Sequence, residues 1–208
     1  MRRTLTALAG ALVLAPAVQA ATVALDKPCY RGGETARVSG TGFTPGAPYS
    51  ANVNGQQLPS GTGTVRPDGT FSGGFGVGAV QNTAERSFTF GASDGTNSSL
   101  ATYTVTPFSV QFSPSSGNPR TLRVRFRGFG FGKGKRVYLH YVKGGREKTT
   151  VSLGATEGDC GGFSKKKKLF PFRPTHGTYT LQYDTKKTYS RSTAGGFRDS
   201  VLITRRFR

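Results

Sequence analysis

Shifted by 88 residues, the chain matches itself. Arg37–Gly46 (RVSGTGFTPG) falls on Arg125–Gly134 (RFRGFGFGKG), and Gly40, Gly42, Phe43 and Gly46 coincide with Gly128, Gly130, Phe131 and Gly134. Each block leads into an alternating segment, Tyr49, Ala51, Val53 in the first copy and Val137, Leu139, Tyr141 in the second. A Phe-Ser pair follows, Phe71-Ser72 and Phe163-Ser164, with four extra residues ahead of the second. Each copy closes on two more alternating runs, Phe88, Phe90 with Tyr103, Val105, and Tyr179, Leu181, Tyr183 with Val201, Ile203. A chain built this way folds as two similar units. The repeated glycines are expected to supply positive φ in a tight strand-turn-strand element, with the shared phenylalanine folded beneath the turn.

Alternation with period two puts successive side chains on opposite faces of a strand. The chain is rich in Gly, Thr, Ser, Phe and Tyr and has no Trp, and no run carries apolar residues at helical spacing over three turns. The expected class is therefore all-β. About seven short strands per ninety residues suit two tandem immunoglobulin-like β-sandwiches. Thr175–Leu181 (THGTYTL) resembles the start of strand F in such domains, where a tyrosine closes the corner. The duplicated G-x-G-F-x-x-G, with its G-T-Y-T-L strand, is similar to the Ig-like modules of secreted bacterial surface proteins, tandem proteins of actinobacterial type above all. The resemblance covers most of the chain after the leader and implies a non-catalytic adhesion, wall-binding or spacer module. The chain departs from antibody-type domains in having no Trp on strand C and no cysteine pair within one unit.

Residues 1–20 have the grammar of a secretory signal peptide: Arg2 and Arg3, an apolar run from Leu5 to Leu14, Pro16, then Val18 and Ala20 before the cleavage point. The run is too short for a transmembrane anchor, and no cysteine offers a lipid attachment site. The protein is expected to be secreted, extracellular or periplasmic, and in the former case associated with the cell wall. The domains are then 21–107 and 108–208. The first carries five basic and five acidic residues and is neutral; the second carries 22 basic and five acidic, net +17. Such asymmetry points the second domain at something acidic. Each domain holds one cysteine, Cys29 and Cys160. An oxidising compartment favours pairing, and an intramolecular bridge between the domains, an intermolecular dimer and free thiols all remain open.

Several chemical motifs fail on context. Arg127–Gly134 (RGFGFGKG) fits five positions of the RRM stacking motif but has glycines at the sixth and eighth, where Val and an aromatic are needed. An exported β protein without the helices of an RRM is not expected to bind RNA specifically. Gly91–Gly95 (GASDG) satisfies G-x-S-x-G, yet a nucleophile elbow needs a following helix; here a polar hairpin turn is expected. The glycine-lysine step at 132–133 lacks the spacing and the Ser or Thr of a phosphate loop. His140 alternates with Leu139 and Tyr141 and is expected on an exposed strand face. No His/Cys/Asp/Glu spacing suggests a metal site. The chain thus offers no catalytic, metal or cofactor residues by pattern.

What remains is basic. Arg123, Arg125 and Arg127 alternate with Leu122, Val124 and Phe126, which puts three guanidinium groups on one face of a strand. Lys165–Lys168 lies between Phe163 and Leu169, with Lys166 and Lys168 directed to solvent. Lys165 and Lys167 share the parity of the core residues, a pattern tolerated at a sheet edge. In Ig order these segments are strands B and E, neighbours in one sheet. Arg123, Arg125, Arg127, Lys166 and Lys168 are then one anion-binding face, extended by Arg146 or Lys148. The leading expectation is a module that binds an anionic envelope polymer or other polyanion. The alternatives are solubility alone, a spacer or assembly component with a protein partner, and a hydrolase with an unrecognised site.

Overall fold

The computed structural model describes residues 20–81, 83–192 and 195–204. The leader expected over 1–20 lies outside them except for residue 20. Fifteen strands and no α-helix are formed among the described residues, so no helix there is long and apolar enough to cross a membrane. The chain is all-β, two tandem immunoglobulin-like sandwiches.

The first sandwich uses β1 (Thr22–Leu25), β2 (Cys29–Arg31), β3 (Thr35–Thr41), β4 (Pro48–Val53), β5 (Gln56–Thr64), β6 (Phe71–Gly76), β7 (Arg86–Ser93) and β8 (Ser98–Thr106). Its sheets run β1-β3-β6 and β2-β8-β7-β4-β5. The second uses β9 (Ser109–Ser113), β10 (Arg123–Phe129), β11 (Arg136–Lys143), β12 (Arg146–Ala155), β13 (Phe163–Lys168), β14 (Gly177–Asp184) and β15 (Phe197–Ile203). Its sheets run β13-β10-β9 and β12-β11-β14-β15. In immunoglobulin terms each sandwich faces A-B-E against C′-C-F-G. Among the described residues, only the first adds a short A′ strand, β2, which lies parallel to β8.

Each sandwich has its own core. Val38, Phe43, Phe71, Phe75, Phe90 and Tyr103 fill the first, and Val124, Phe126, Phe131, Leu139, Tyr141, Leu181 and Tyr183 fill the second. Phe43 and Phe131 are each 3% exposed, at equivalent places under their turns. Gly42, Gly46, Gly130, Gly132 and Gly134 do take positive φ. Gly40 and Gly128 do not, which corrects the expectation of a turn role for them. A Cβ on Gly40 would stand 2.0 Å from Cε1 of Phe71, and one on Gly128 would stand 2.0 Å from Cε1 of Phe163. These two glycines make room for a ring from the neighbouring strand. At the F corner, the Thr175 N–H donates to the Tyr179 hydroxyl at 3.0 Å.

The Gly91–Gly95 segment ends β7 and enters the β7–β8 hairpin turn, as expected. Asp94 there fastens the first copy of the repeated turn. Its carboxylate accepts the N–H groups of Thr44 at 2.6 Å, Asn97 at 2.6 Å and Thr96 at 2.9 Å. Burial pushes this carboxyl upward, but the N–H donors outweigh it and hold it well below the usual carboxylate range. A depressed carboxylate stabilises the fold above its unfolded pKa and loses that contribution as pH falls toward the folded value. Asp94→Asn should therefore lower the melting temperature of the first sandwich at pH 7. In thermal scans the gap from wild type should narrow below about pH 4; a gap independent of pH would rule out the charge as its cause.

The two sandwiches are tied at their junction. Cys29 Sγ and Cys160 Sγ are 1.99 Å apart, a disulfide between β2 and the turn that leads into β13. The Arg31 guanidinium lies 4.1 Å from the Phe108 ring centroid, and its Nε donates to Gly130 O at 2.6 Å.

Candidate functional site

β10 is the middle strand of its sheet, so its side chains alternate strictly between core and solvent. Val124 and Phe126 are buried, and Arg123, Arg125 and Arg127 are exposed. β13 pairs with it antiparallel, Arg123 opposite Lys168, Arg125 opposite Lys166 and Arg127 opposite Ser164. All five cations are exposed, on the outer face of one sheet. None of the five is paired with a carboxylate among the described residues. Lateral neighbours on such a face stand about 5 Å apart, and successive ones along a strand about 7 Å.

β9 completes the face on the other side, with Ser113 opposite Arg125 and Gln111 opposite Arg127. Together they enclose a shallow concavity of about 600 Å³, lined by Arg123, Arg125, Arg127, Lys166, Gln111 and Ser113 among others. At its Arg127 end the face meets a second hollow, where Glu85, Glu157 and Asp159 stand near Arg127 and Ser164. The outer face is thus cationic along β10 and β13 and acidic where the two sandwiches meet.

Of the inward-parity lysines, Lys167 is half-buried and Lys165 exposed, on an edge strand. Arg146 and Lys148 do not extend the face. Both lie on β12, which belongs to the opposite sheet. Strand C′ pairs with C, and the turn before β13 crosses from one sheet to the other.

The duplication supplies an internal control. In the first sandwich β3 and β6 pair in the same register, Thr35 opposite Gly76, Arg37 opposite Gly74 and Ser39 opposite Ser72. Positions that hold Arg123, Lys168, Lys166 and Arg127 in the second domain hold Thr35, Gly76, Gly74 and Ser39 in the first. Only Arg37, matching Arg125, is a cation. The same sheet therefore forms without the other four charges, and its edge strand β6 has no lysine.

His140 corrects the sequence reading: it is fully buried, not exposed. Its Nδ1 lies 2.6 Å from Thr150 Oγ1 and 3.0 Å from Glu147 Oε1, and its Nε2 lies 3.1 Å from Lys186 O and 3.3 Å from Asp184 Oδ1. Gln182 Nε2 donates to Asp184 Oδ2 at 2.9 Å and to Ser190 O at 3.0 Å. Burial raises the Glu147 carboxyl, but bonds from Thr150 and His140 bring it below its ordinary value. Residues 186–190, in the connection after β14, fold back over the outer face of this sheet, with Tyr189 5.8 Å from His140 between ring centroids. The network fastens that connection. The one signal in sequence was the length of the connection, far more than a tight hairpin needs. Among the described residues no group of three His, Cys, Asp or Glu side chains is placed to hold a metal ion.

No family model and no curated protein matches the chain. Among solved structures it is similar to the human OSCAR ligand-binding domain, at 12% identity and a TM-score of 0.36, over 89% of this chain and 98% of that one. It is similar to an ICAM-5 D1–D4 ectodomain fragment at 14% identity and a TM-score of 0.38, over 88% and 50% respectively. It also matches Escherichia coli alpha-2-macroglobulin at 16% identity and a TM-score of 0.32, but it spans only 16% of that chain. Likenesses this loose carry no functional argument; the assignment to two tandem immunoglobulin-like sandwiches rests on the chain's own strand order.

Proposed function

We propose that the protein is an exported, non-catalytic envelope module of the secreted bacterial Ig-like kind, with domains at 21–107 and 108–208. Its second domain holds an anionic polymer across Arg123, Arg125, Arg127, Lys166 and Lys168. One observation carries this reading. Two copies of one sheet, in one register, differ by four cations that the fold does not require. Arg123 opposite Lys168, and Arg125 opposite Lys166, are like charges directly across an antiparallel pair, an arrangement that lowers stability. A surface serving only solubility mixes both signs. Guanidinium groups bind phosphate in bidentate fashion, and a row of them about 7 Å apart suits an extended phosphodiester polymer such as a teichoic acid.

The test is retention on immobilised poly(glycerol phosphate), with duplex DNA as a parallel arm. Replacing Arg125, Arg127, Lys166 and Lys168 with Gln should reduce retention at least tenfold with the fold intact by circular dichroism. Wild-type retention should fall steeply between about 50 and 500 mM salt, because bound phosphates release counterions. Lys166→Glu, opposite Arg125, should raise the melting temperature while weakening retention. Retention indifferent to salt, or to the four substitutions, would refute the reading.

A further inference from the structure

In the first sandwich, the nine residues between β1 and β3 supply β2. That strand covers the edge of β8 in parallel, Cys29 beside Thr104, Tyr30 beside Val105 and Arg31 beside Thr106. Tyr30 drops into the core, 1% exposed, with its ring edge-on to Tyr103 at 5.7 Å. The second sandwich also has nine residues between its first two strands, Pro114 to Leu122. None of them pairs with β15, which ends its sheet among the described residues.

The repeat equates Tyr103 and Val105 with Val201 and Ile203, so the place of β2 falls beside Leu202–Thr204. A groove of about 510 Å³ lies there. One wall is the 115–119 segment, the other is Val201 to Thr204, and Leu122 and Leu169 line it between them. Leu202 is 62% exposed, one of two large apolar side chains so displayed among the described residues.

We propose that this groove receives an extended segment of a partner protein, added to β15 as a parallel strand, with one large apolar residue flanked by acidic ones. The first sandwich shows what fits. There the Thr104 N–H donates to Pro28 O at 2.9 Å and Thr106 O accepts the Gly32 N–H at 3.2 Å. Leu202 and Thr204 occupy the equivalent positions, so their backbone groups face the groove. Strand addition to an open edge takes its affinity from such groups and its specificity from alternate side chains. The slot of Tyr30 calls for a large apolar residue. The acidic flanks follow from charge: Leu122 and Leu169 adjoin Arg123 and Lys168, which face each other at this end of the sheet, and the second domain is net +17. A second copy is disfavoured by the same charge. The strand pairing needs only the groove and β15; the acidic flanks would meet Arg123 and Lys168, two of the five cations of the outer face.

The probe is a synthetic peptide with a central Val-Tyr-Val between pairs of Glu, titrated into the full chain and followed by NMR of backbone amides. Saturable binding should shift the Leu202 and Thr204 amides and the 115–119 segment. Exchanging Glu for Lys, or Tyr for Ser, should each weaken binding at least tenfold. Leu202→Pro removes the outward N–H at an edge position where proline is tolerated; it should abolish peptide binding and leave polymer retention unchanged. The proposal fails if the Leu202 and Thr204 amides are already protected from exchange without peptide, since the chain would then fill its own groove. It fails equally if sedimentation shows dimers through β15, if Leu202→Pro binds normally, or if the Glu peptide shows no saturation up to about 1 mM.

Discussion

Removal of the Cys29–Cys160 bridge by the double substitution Cys29→Ser/Cys160→Ser should destabilise the protein by about 4–5 kcal/mol, chiefly through the unfolded chain. The cysteines are 131 residues apart, so the closed loop includes nearly all of the first domain and about half of the second. Loop entropy grows only logarithmically with length. When one domain unfolds beside a folded partner the loop is shorter, but the expected loss stays in the same range. Each domain's melting temperature should therefore fall on the order of 20 °C, a coupling that unlinked domains would not show. The Arg31 contacts with Phe108 and Gly130 cross the same junction and should hold the domains together more weakly after reduction. Calorimetry of the double variant measures the effect, and non-reducing peptide mass spectrometry identifies the bridge. A loss below about 1 kcal/mol would mean that the unfolded chain is compact enough to make the cross-link redundant.

Much of this architecture was legible because a sandwich writes itself in period two. Val124, Phe126 and the arginines between them define a face without any tertiary information, and the 88-residue repeat carries that definition from one domain to the other. That the arginine strand adjoins the lysine strand followed from Ig strand order alone, and the structure adds the register, Arg125 opposite Lys166. What could not be read depends on segments that return from elsewhere. His140 is buried because the connection after Asp184 lies over it, and alternation says nothing about what covers an outer face. Arg146 and Lys148 went to the opposite sheet because a polar hairpin carries no label for the sheet it joins. β2 is three residues long and pairs in parallel, too short to show a period. Its absence from the second domain, which leaves the groove beside β15, is visible only by comparing the two folded copies.

Gly40→Ala and Gly128→Ala should each cost at least about 3 kcal/mol, at the upper end for overpacking a core. Neither glycine has positive φ, so backbone conformation is not the obstacle. At each site the added methyl would lie within 2.7 Å of three ring carbons, those of Phe71 in one domain and Phe163 in the other. The rings cannot simply withdraw. Phe71 is edge-on to Phe43 at 5.1 Å and stacked on Tyr49 at 4.4 Å, and Phe163 is edge-on to Phe131 at 5.6 Å. The phenylalanine beneath each turn is therefore the neighbour that fixes the ring over the glycine, which is why the two residues recur together in the duplicated motif. Phe163→Leu shortens the intruding side chain and should absorb most of the Gly128→Ala cost. The double variant would then be more stable than the sum of the single losses predicts, with a coupling of about 1–3 kcal/mol. Chemical denaturation of the four proteins in the cycle measures it. Strict additivity would show that the glycine serves the backbone rather than the ring.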